Sequence, residues 1–227
     1  MCKRLIRLVP LVLALAAPPA AAGEPRDPGP AGPWPDDAEL GEALRPRGEQ
    51  LEFLPAPPAD PVLHSHNVLH VHADSLADGW VDLEQCHTGL DPFPRAQVLY
   101  QYHEMRDLRI RSAEGIGRAW VEGQSVQIVN ATRGAKLCVT GRVKILRRDA
   151  GGHFSLENGP FHRRFLDGYF PLHVTLQVRY PEDRLRFAGI TPRPQAGFEV
   201  HGPPGRVEVD AWFSGKLLVK MRFVEKR

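Results

Sequence analysis

Apolar and polar residues alternate through most of the chain that follows residue 62, and this alternation constrains the fold more than any other feature. The clearest series runs over residues 172–180, and two further series run over residues 206–213 and 217–224. Because successive side chains of a β-strand point to opposite faces, a period of two predicts strands that are buried on one face. No long segment of helical period follows residue 62. The sequence therefore predicts an all-β fold.

Turn residues separate the predicted strands. We predict hairpins at Gly123-Gln124, at Gly141 and at Ser214-Gly215, since each lies between two alternating runs. Many short strands separated by such turns are typical of an antiparallel β-sandwich. Residues 62–227 suit one large sandwich or two small packed sandwiches, and the loop 149–168 is the candidate for an internal boundary. One continuous body is favoured, because the roughly 60 residues after that loop would make a thin separate domain.

The first 22 residues have the pattern of a secretory signal peptide. Basic residues at positions 3, 4 and 7 precede an apolar run over residues 8–17, and Ala20-Ala21-Ala22 offers a small-residue cleavage site. The alternative is a membrane anchor, but an apolar run of about ten residues is short of the roughly 20 that span a bilayer. We therefore expect an exported protein, periplasmic or secreted, whose mature chain is soluble and has no transmembrane segment.

Residues 23–61 contain ten prolines. Proline fixes the backbone angle φ and lacks an N–H donor, so this segment is a poor former of helix or strand. We interpret it as an extended leader that tethers the folded body. A proline-rich recognition motif is the alternative that stays open.

The charge balance argues against nucleic-acid binding. The whole chain has 29 Lys and Arg residues against 27 Asp and Glu residues, a net charge of +2. Loss of the signal peptide would remove three basic residues and leave 26 against 27, a net charge of −1. A nucleic-acid-binding domain is expected to be clearly basic.

Two cysteines remain after the signal peptide, Cys86 and Cys138. An even pair in an exported chain predicts a disulfide, because such bonds persist in oxidising compartments. The alternative is metal ligation by a thiolate, since His87 follows Cys86 directly.

Histidines cluster in the first part of the predicted body. Six lie within a span of 40 residues, at His64, His66, His70, His72, His87 and His103. The first four occupy even positions, so on one strand they would share a face with Val68. The opposite face would then turn Leu63, Leu69 and Val71 toward the core.

Such a row of imidazoles predicts a metal site. Imidazole is the commonest protein ligand of transition metals, and three ring nitrogens with an open position suit copper or zinc. His70 and His72 are the first candidates as ligands, followed by His66 and His64, with His103 or His87 as a third ligand from a neighbouring strand. Two other interpretations stay open: a solvated strand face, and a face that responds to pH because adjacent imidazoles repel once protonated.

Arginines and aromatic residues crowd into residues 154–170. Arg163, Arg164, Phe165 and Tyr169 form a candidate ligand-binding loop, because guanidinium groups pair with phosphate or carboxylate and aromatic rings stack on apolar groups or sugars. The alternative is that the aromatic rings plug the end of the sandwich while the arginines stay solvated.

The sequence contains none of the common catalytic motifs that we sought. Gly-x-Ser-x-Gly, His-Glu-x-x-His and a phosphate-binding loop are absent. We therefore expect an exported β-sandwich protein that works by binding rather than by catalysis, with copper or zinc held on the histidine-bearing strand. The alternative is a metal-free structural or interaction module of the cell envelope that contacts an envelope protein partner.

Overall fold

Strands account for most of the residues that this computed structural model describes, which confirms the all-β prediction. The described residues are 48–166 and 168–226. The predicted signal peptide and residues 23–47 of the predicted leader lie outside them. No helix in the described part of the chain is long and apolar enough to cross a bilayer.

The described residues form fifteen strands and one short helix. In chain order these are β1 (Glu52–Phe53), β2 (His64–His70), α1 (Ser75–Asp78), β3 (Trp80–Leu90), β4 (Arg95–Leu99), β5 (Met105–Glu122), β6 (Ser125–Lys144), β7 (Leu146–Arg148), β8 (His153–Phe161), β9 (Arg163–Phe165), β10 (Gly168–Phe170), β11 (Leu172–Arg179), β12 (Leu185–Thr191), β13 (Phe198–His201), β14 (Arg206–Ser214) and β15 (Leu217–Glu225).

Nine of the strands form one large sheet. Its order is β1-β14-β11-β2-β3-β6-β4, with β13 also paired to β14 and β5 also paired to β6. The pairs are antiparallel, as predicted, except that β2 and β11 run parallel with His64 opposite His173. Parallel strands need a long connection, and here more than 100 residues of chain separate the two partners.

The other strands form two smaller sheets. One has four strands in the order β12-β15-β8-β7, and the other is the hairpin of β9 and β10. The segment 149–168, interpreted from the sequence as a loop, therefore contains β8, an interior strand of the four-stranded sheet. Gly151 and Gly152 lie in the turn before β8, Gly159 lies near the end of β8, and Gly168 begins β10.

Both larger sheets contribute to one hydrophobic core. Alternate residues of β11 are buried, as the sequence predicts: Leu172, Val174, Leu176 and Val178. Alternate residues of β15 in the four-stranded sheet are buried in the same cluster: Leu217, Val219, Met221 and Phe223. Polar residues occupy the intervening positions of β11 and two of those of β15, so the period of two reflects a face that packs and a face that meets solvent.

One of the three predicted hairpins is confirmed and two are wrong. Gly123 and Gln124 form the turn between β5 and β6. Gly141 lies inside the continuous strand β6, where a Cβ atom would lie 3.0 Å from Cε of Met105 on β5. Ser214 and Gly215 end β14 in the nine-stranded sheet and lead to β15 in the four-stranded sheet, so these two strands do not pair.

The predicted disulfide joins two neighbouring strands. Cys86 of β3 lies opposite Cys138 of β6, and their sulfur atoms are 2.12 Å apart. The two thiols are therefore bonded to each other, and neither serves as a thiolate ligand.

Candidate functional site

The histidine-bearing strand has the predicted alternation. His64, His66 and His70 share the outer face of β2 with Val68, while Leu69 is fully buried on the inner face. Ser65 and Asn67 are also on the inner face, and both are buried. These two buried polar residues are not part of the sequence prediction, although they lie in phase with Leu69.

Two of the outer histidines contact one threonine of the parallel neighbour β11. Nε2 of His64 and Nδ1 of His66 each lie 2.8 Å from Oγ1 of Thr175. A hydroxyl has one proton, so it donates to one ring and accepts from the other. The His64 ring also stacks on His173, whose ring stacks on Trp212, with centroids 4.1 and 3.9 Å apart. Burial, together with the neighbouring imidazoles, lowers the pKa of His64 to about 4.

The other two histidines lie beside carboxylates of β3. Nε2 of His72 is 2.9 Å from Asp82, and Nε2 of His70 is 3.6 Å from Glu84. Arginines reach the same carboxylates, since Arg142 lies 2.9 Å from Asp82. This half of the row is an exposed network of ion pairs.

The remaining two predicted ligands lie elsewhere. His87 is on the inner face of β3 and only 8% exposed, so it points away from the outer row. His103 is exposed in the turn between β4 and β5. Within residues 48–166 and 168–226 no group of three or more His, Cys, Asp or Glu side chains is placed to hold a metal ion. The described residues therefore place no third ligand beside the histidine row, and metal binding stays a prediction.

A chain of hydrogen bonds crosses the inner face of the nine-stranded sheet. Nδ2 of Asn67 donates to the backbone oxygens of Ser65 and Thr175, at 2.9 and 3.2 Å. Its Oδ1 must therefore accept, and it accepts from Nε2 of Gln85. Oε1 of Gln85 in turn accepts from the hydroxyl of Tyr100 at 2.8 Å. The backbone carbonyls of Ser65 and Thr175 fix the orientation of the Asn67 amide, and the Asn67 amide in turn fixes that of Gln85.

His87 is the last member of this chain. Its Nε2 lies 2.9 Å from Oε1 of Gln85, an atom that can only accept, so Nε2 carries the ring proton. Burial, with a smaller contribution from the nearby His64, lowers the pKa of His87 to about 4. The ring is thus neutral at pH 7, and its Nδ1 is an unprotonated hydrogen-bond acceptor.

The hydrogen-bonded chain ends at a cavity of about 610 Å³. Its wall includes Gln85, His87 and Tyr100, the residues from 95 to 102, and the segment from 159 to 166. Three apolar side chains of this wall are strongly exposed: Leu99 at 56%, Phe165 at 51% and Leu166 at 78%. A volume of this size is in the range of small-molecule sites.

Part of the predicted ligand-binding loop lies at this cavity. Arg163, Arg164 and Phe165 line it. Tyr169 on β10 is outside the wall, and its ring is tilted against that of the wall residue His162, with centroids 5.7 Å apart. Arg163 is paired with Asp91, which also lines the cavity, so its charge is already matched.

The sequence analysis did not identify the polar residues of the cavity wall. Gln85 and Asn67 lie in phase with the buried residues Leu83 and Leu69 on their strands. A polar side chain at a core position of a predicted strand was therefore the one sequence signal that could have identified them. Its hydrogen-bond partners lie on other strands and have no local pattern in the sequence.

Comparisons with known proteins assign no family to this chain. No protein-family model matches it, and no curated protein matches it. Similar solved structures include a mutant M1 zinc metallopeptidase from Deinococcus radiodurans bound to a Tyr-Ser-Ala substrate, with 13% identity, a TM-score of 0.36, and coverage of 77% of this chain and 43% of that chain. The M1 zinc metallopeptidase from the same organism has 14% identity, a TM-score of 0.32, and coverage of 70% and 41%.

This chain therefore spans less than half of the length of those peptidase chains. At these TM-scores the resemblance assigns neither a fold family nor an activity.

Proposed function

We propose that this protein is an exported β-sandwich that binds a small, largely apolar molecule in the cavity beside His87. The observation that carries this proposal is a buried chain of hydrogen bonds that ends in the wall of a cavity of about 610 Å³. Export is supported by the signal-peptide pattern of residues 1–22 and by the Cys86–Cys138 disulfide. The shared core of the two larger sheets supports a sandwich.

The chemistry of the wall supports binding rather than catalysis. Burial raises the pKa of the Tyr100 and Tyr102 hydroxyls, so both stay protonated at neutral pH. The imidazole of His87, with its pKa lowered to about 4, is a weak base at that pH. The polar groups are also held by one another, which suits a recognition surface of fixed shape.

The mouth of the cavity supports an apolar ligand. Exposed Leu99, Phe165 and Leu166 place apolar surface at the entrance, and such surface is commonly found at ligand and interaction sites. The Arg163 guanidinium faces Asp91, so the pair offers a bound molecule little net charge.

Titration with the uncharged dye Nile red tests the proposal. The purified mature chain should bind the dye saturably, in a one-to-one ratio. Ala96→Trp should fill the cavity and weaken binding about tenfold or more, because Ala96 of β4 lines it. Ala119→Trp is the matched control, since Ala119 of β5 flanks Ile128 from the other side and is outside the cavity wall. Absence of saturable binding, or equal loss in both variants, would contradict the proposal.

A second candidate function is the binding of copper or zinc by the histidine row. The observation in its favour is that ring nitrogens of His64 and His66 both lie 2.8 Å from one oxygen atom. Metal analysis of untagged protein from its native compartment tests it. Near-stoichiometric metal that is lost in His64→Ala/His66→Ala and kept in His70→Ala/His72→Ala would support this function. If the protein is metal-free and takes up neither copper nor zinc, this second candidate fails, and the metal-free interaction module of the cell envelope is the alternative that remains.

A further inference from the structure

The hydroxyl proton of Tyr100 and the ring proton of His87 are both directed to Gln85 and not into the cavity. Asn67 donates to backbone carbonyls, Gln85 donates to Asn67, and both the Tyr100 hydroxyl and Nε2 of His87 donate to Gln85. What His87 and Tyr100 retain for a bound molecule is therefore lone pairs. Both side chains are buried, with 8% and 6% exposure, as are the wall residues Gln85 and Ser65 with 5% and 2%.

Two further wall residues, Tyr102 and His162, also have atoms that can accept a hydrogen bond. The hydroxyl of Tyr102 donates to Oδ1 of Asn158, so its oxygen also retains only lone pairs. Nδ1 of His162, between β8 and β9, is buried without a hydrogen-bond partner. An unpaired polar atom in a cavity wall is a group that a bound molecule can satisfy.

We propose that the cavity selects uncharged molecules that carry a hydroxyl group on an apolar body, with the hydroxyl donating to Nδ1 of His87. This inference rests on the proposed function and names the ligand class of the same site. In the buried part of the wall a carboxylate would meet the lone pairs of His87, Tyr100 and Tyr102. Arg95 and Arg164 also line the cavity, but both are exposed to solvent. Asp91 cannot offset a cation, because Arg163 already pairs with it. An alcohol or phenol supplies the hydrogen-bond donor that the unprotonated Nδ1 of His87 can accept.

Discrimination should be strongest against ligands of the same shape that lack the proton. A site that hydrogen-bonds a hydroxyl rejects the analogue without it, because the buried acceptor is then left unpaired. We expect a difference in affinity of about tenfold or more between a phenol and its methyl ether.

Displacement of Nile red by three matched ligands tests the inference. The ligands are para-hexylphenol, its methyl ether and para-hexylbenzoate, all at pH 7. We expect the phenol to bind about tenfold or more tighter than either of the others. Equal affinity of the ether, or tighter binding of the benzoate, would overturn the inference while leaving cavity binding intact. If Nile red itself does not bind, the proposed function fails first, and the two failures are thereby distinguished.

The variant His87→Gln distinguishes the roles of the two ring nitrogens. A glutamine amide places a donor near the position of Nε2 and so keeps the bond to Gln85, but it removes the acceptor Nδ1. The variant should lose the preference for the phenol over the ether, measured as the ratio of the two affinities. Retention of the preference would show that another group accepts the hydroxyl.

A spectroscopic measurement on the unaltered protein gives an answer even if that variant does not fold. The ¹⁵N chemical shift of Nδ1 of His87 should change on addition of the phenol and stay unchanged with the ether at equal occupancy. Identical spectra with both ligands would overturn the inference.

Discussion

Imidazole rings on the two faces of the nine-stranded sheet have opposite surroundings. On the outer face, His70 and His72 lie beside the carboxylates of Glu84 and Asp82. On the inner face, His87 is buried with a lowered pKa and one ring proton held by Gln85. The face on which a histidine lies thus decides whether it contacts the charged surface of the sheet or the cavity.

The buried histidines should make stability depend on pH. The pKa of His87 is about 4 in the folded chain and 6.5 in the unfolded chain, so the unfolded chain binds more protons between these values. The free energy of unfolding should therefore fall as pH decreases from about 6.5 to about 4, by about 3 kcal/mol from His87. Half-exposed His64 should add a smaller loss in the same direction.

Urea denaturation from pH 7 down to about pH 4 measures this effect. His87→Gln should remove most of the pH dependence, whereas His103→Gln should retain it because His103 is exposed in a turn. Parallel curves for the unaltered chain and His87→Gln would contradict the assignment.

At the scale of elements, the turn between β14 and β15 carries the chain from one sheet to the other. Gly215 has φ +83°, and a Cβ atom there would overlap the backbone oxygen of Gln50. The backbone N–H of Lys216 donates to the backbone oxygen of Glu49 at 3.2 Å, so the segment before β1 packs directly on this turn. The glycine is needed for close approach as well as for its backbone angle.

Gly215→Ala should therefore be much more destabilising than an alanine at another glycine of similar angle. Gly134 has φ +78° and open space around its Cβ position, so Gly134→Ala measures the backbone strain alone, about 1 kcal/mol. Gly215→Ala adds a clash with backbone atoms and should cost about 3 kcal/mol or more. Urea midpoints of the two variants compare the costs, and equal values would mean that the segment 49–51 does not pack on the turn.

The disulfide between β3 and β6 should also contribute measurably. It links residues 52 positions apart, so its loss frees a long loop in the unfolded chain. Cys86→Ala/Cys138→Ala should lower the free energy of unfolding by about 3–4 kcal/mol. Thr88→Ala, on the same face of β3, is the control and should change stability by about 0.5 kcal/mol or less. A double variant as stable as the control would contradict the prediction that the disulfide stabilises the folded chain.

At the scale of the whole molecule, the shared core couples the two larger sheets. Leu83 of the nine-stranded sheet and Phe154 of the four-stranded sheet are both almost fully buried in the same cluster. Because each sheet buries its apolar face with the help of the other, neither is expected to stay folded when the other unfolds.

Unfolding should consequently be a single cooperative transition. Trp80, Trp120 and Trp212 all lie on strands of the nine-stranded sheet, so their fluorescence reports on that sheet. Phe154→Ala, in the other sheet, should lower the tryptophan-detected stability by about 3–5 kcal/mol. An unchanged tryptophan transition, or two transitions in calorimetry, would instead support the internal boundary predicted near residues 149–168.

The sequence by itself determined the local features of this protein. Alternation identified strands such as β11 and placed the histidines of β2 on one face, because side-chain direction in a strand depends only on position along it. The Gly123-Gln124 hairpin and the Cys86–Cys138 disulfide were also predictable, the first from adjacent residues and the second because only two cysteines remain after the predicted signal peptide.

The tertiary structure alone decided which strands pair and what lies between them. Gly141 and Ser214-Gly215 resemble hairpin turns in sequence. In the structure, Gly141 allows the close approach of β5, and Gly215 connects two strands that belong to different sheets. The parallel pairing of β2 with β11 and the hydrogen-bonded chain from Asn67 to His87 join residues far apart in the chain. Such contacts depend on packing across strands, and a periodic pattern along one strand contains no information about its partner.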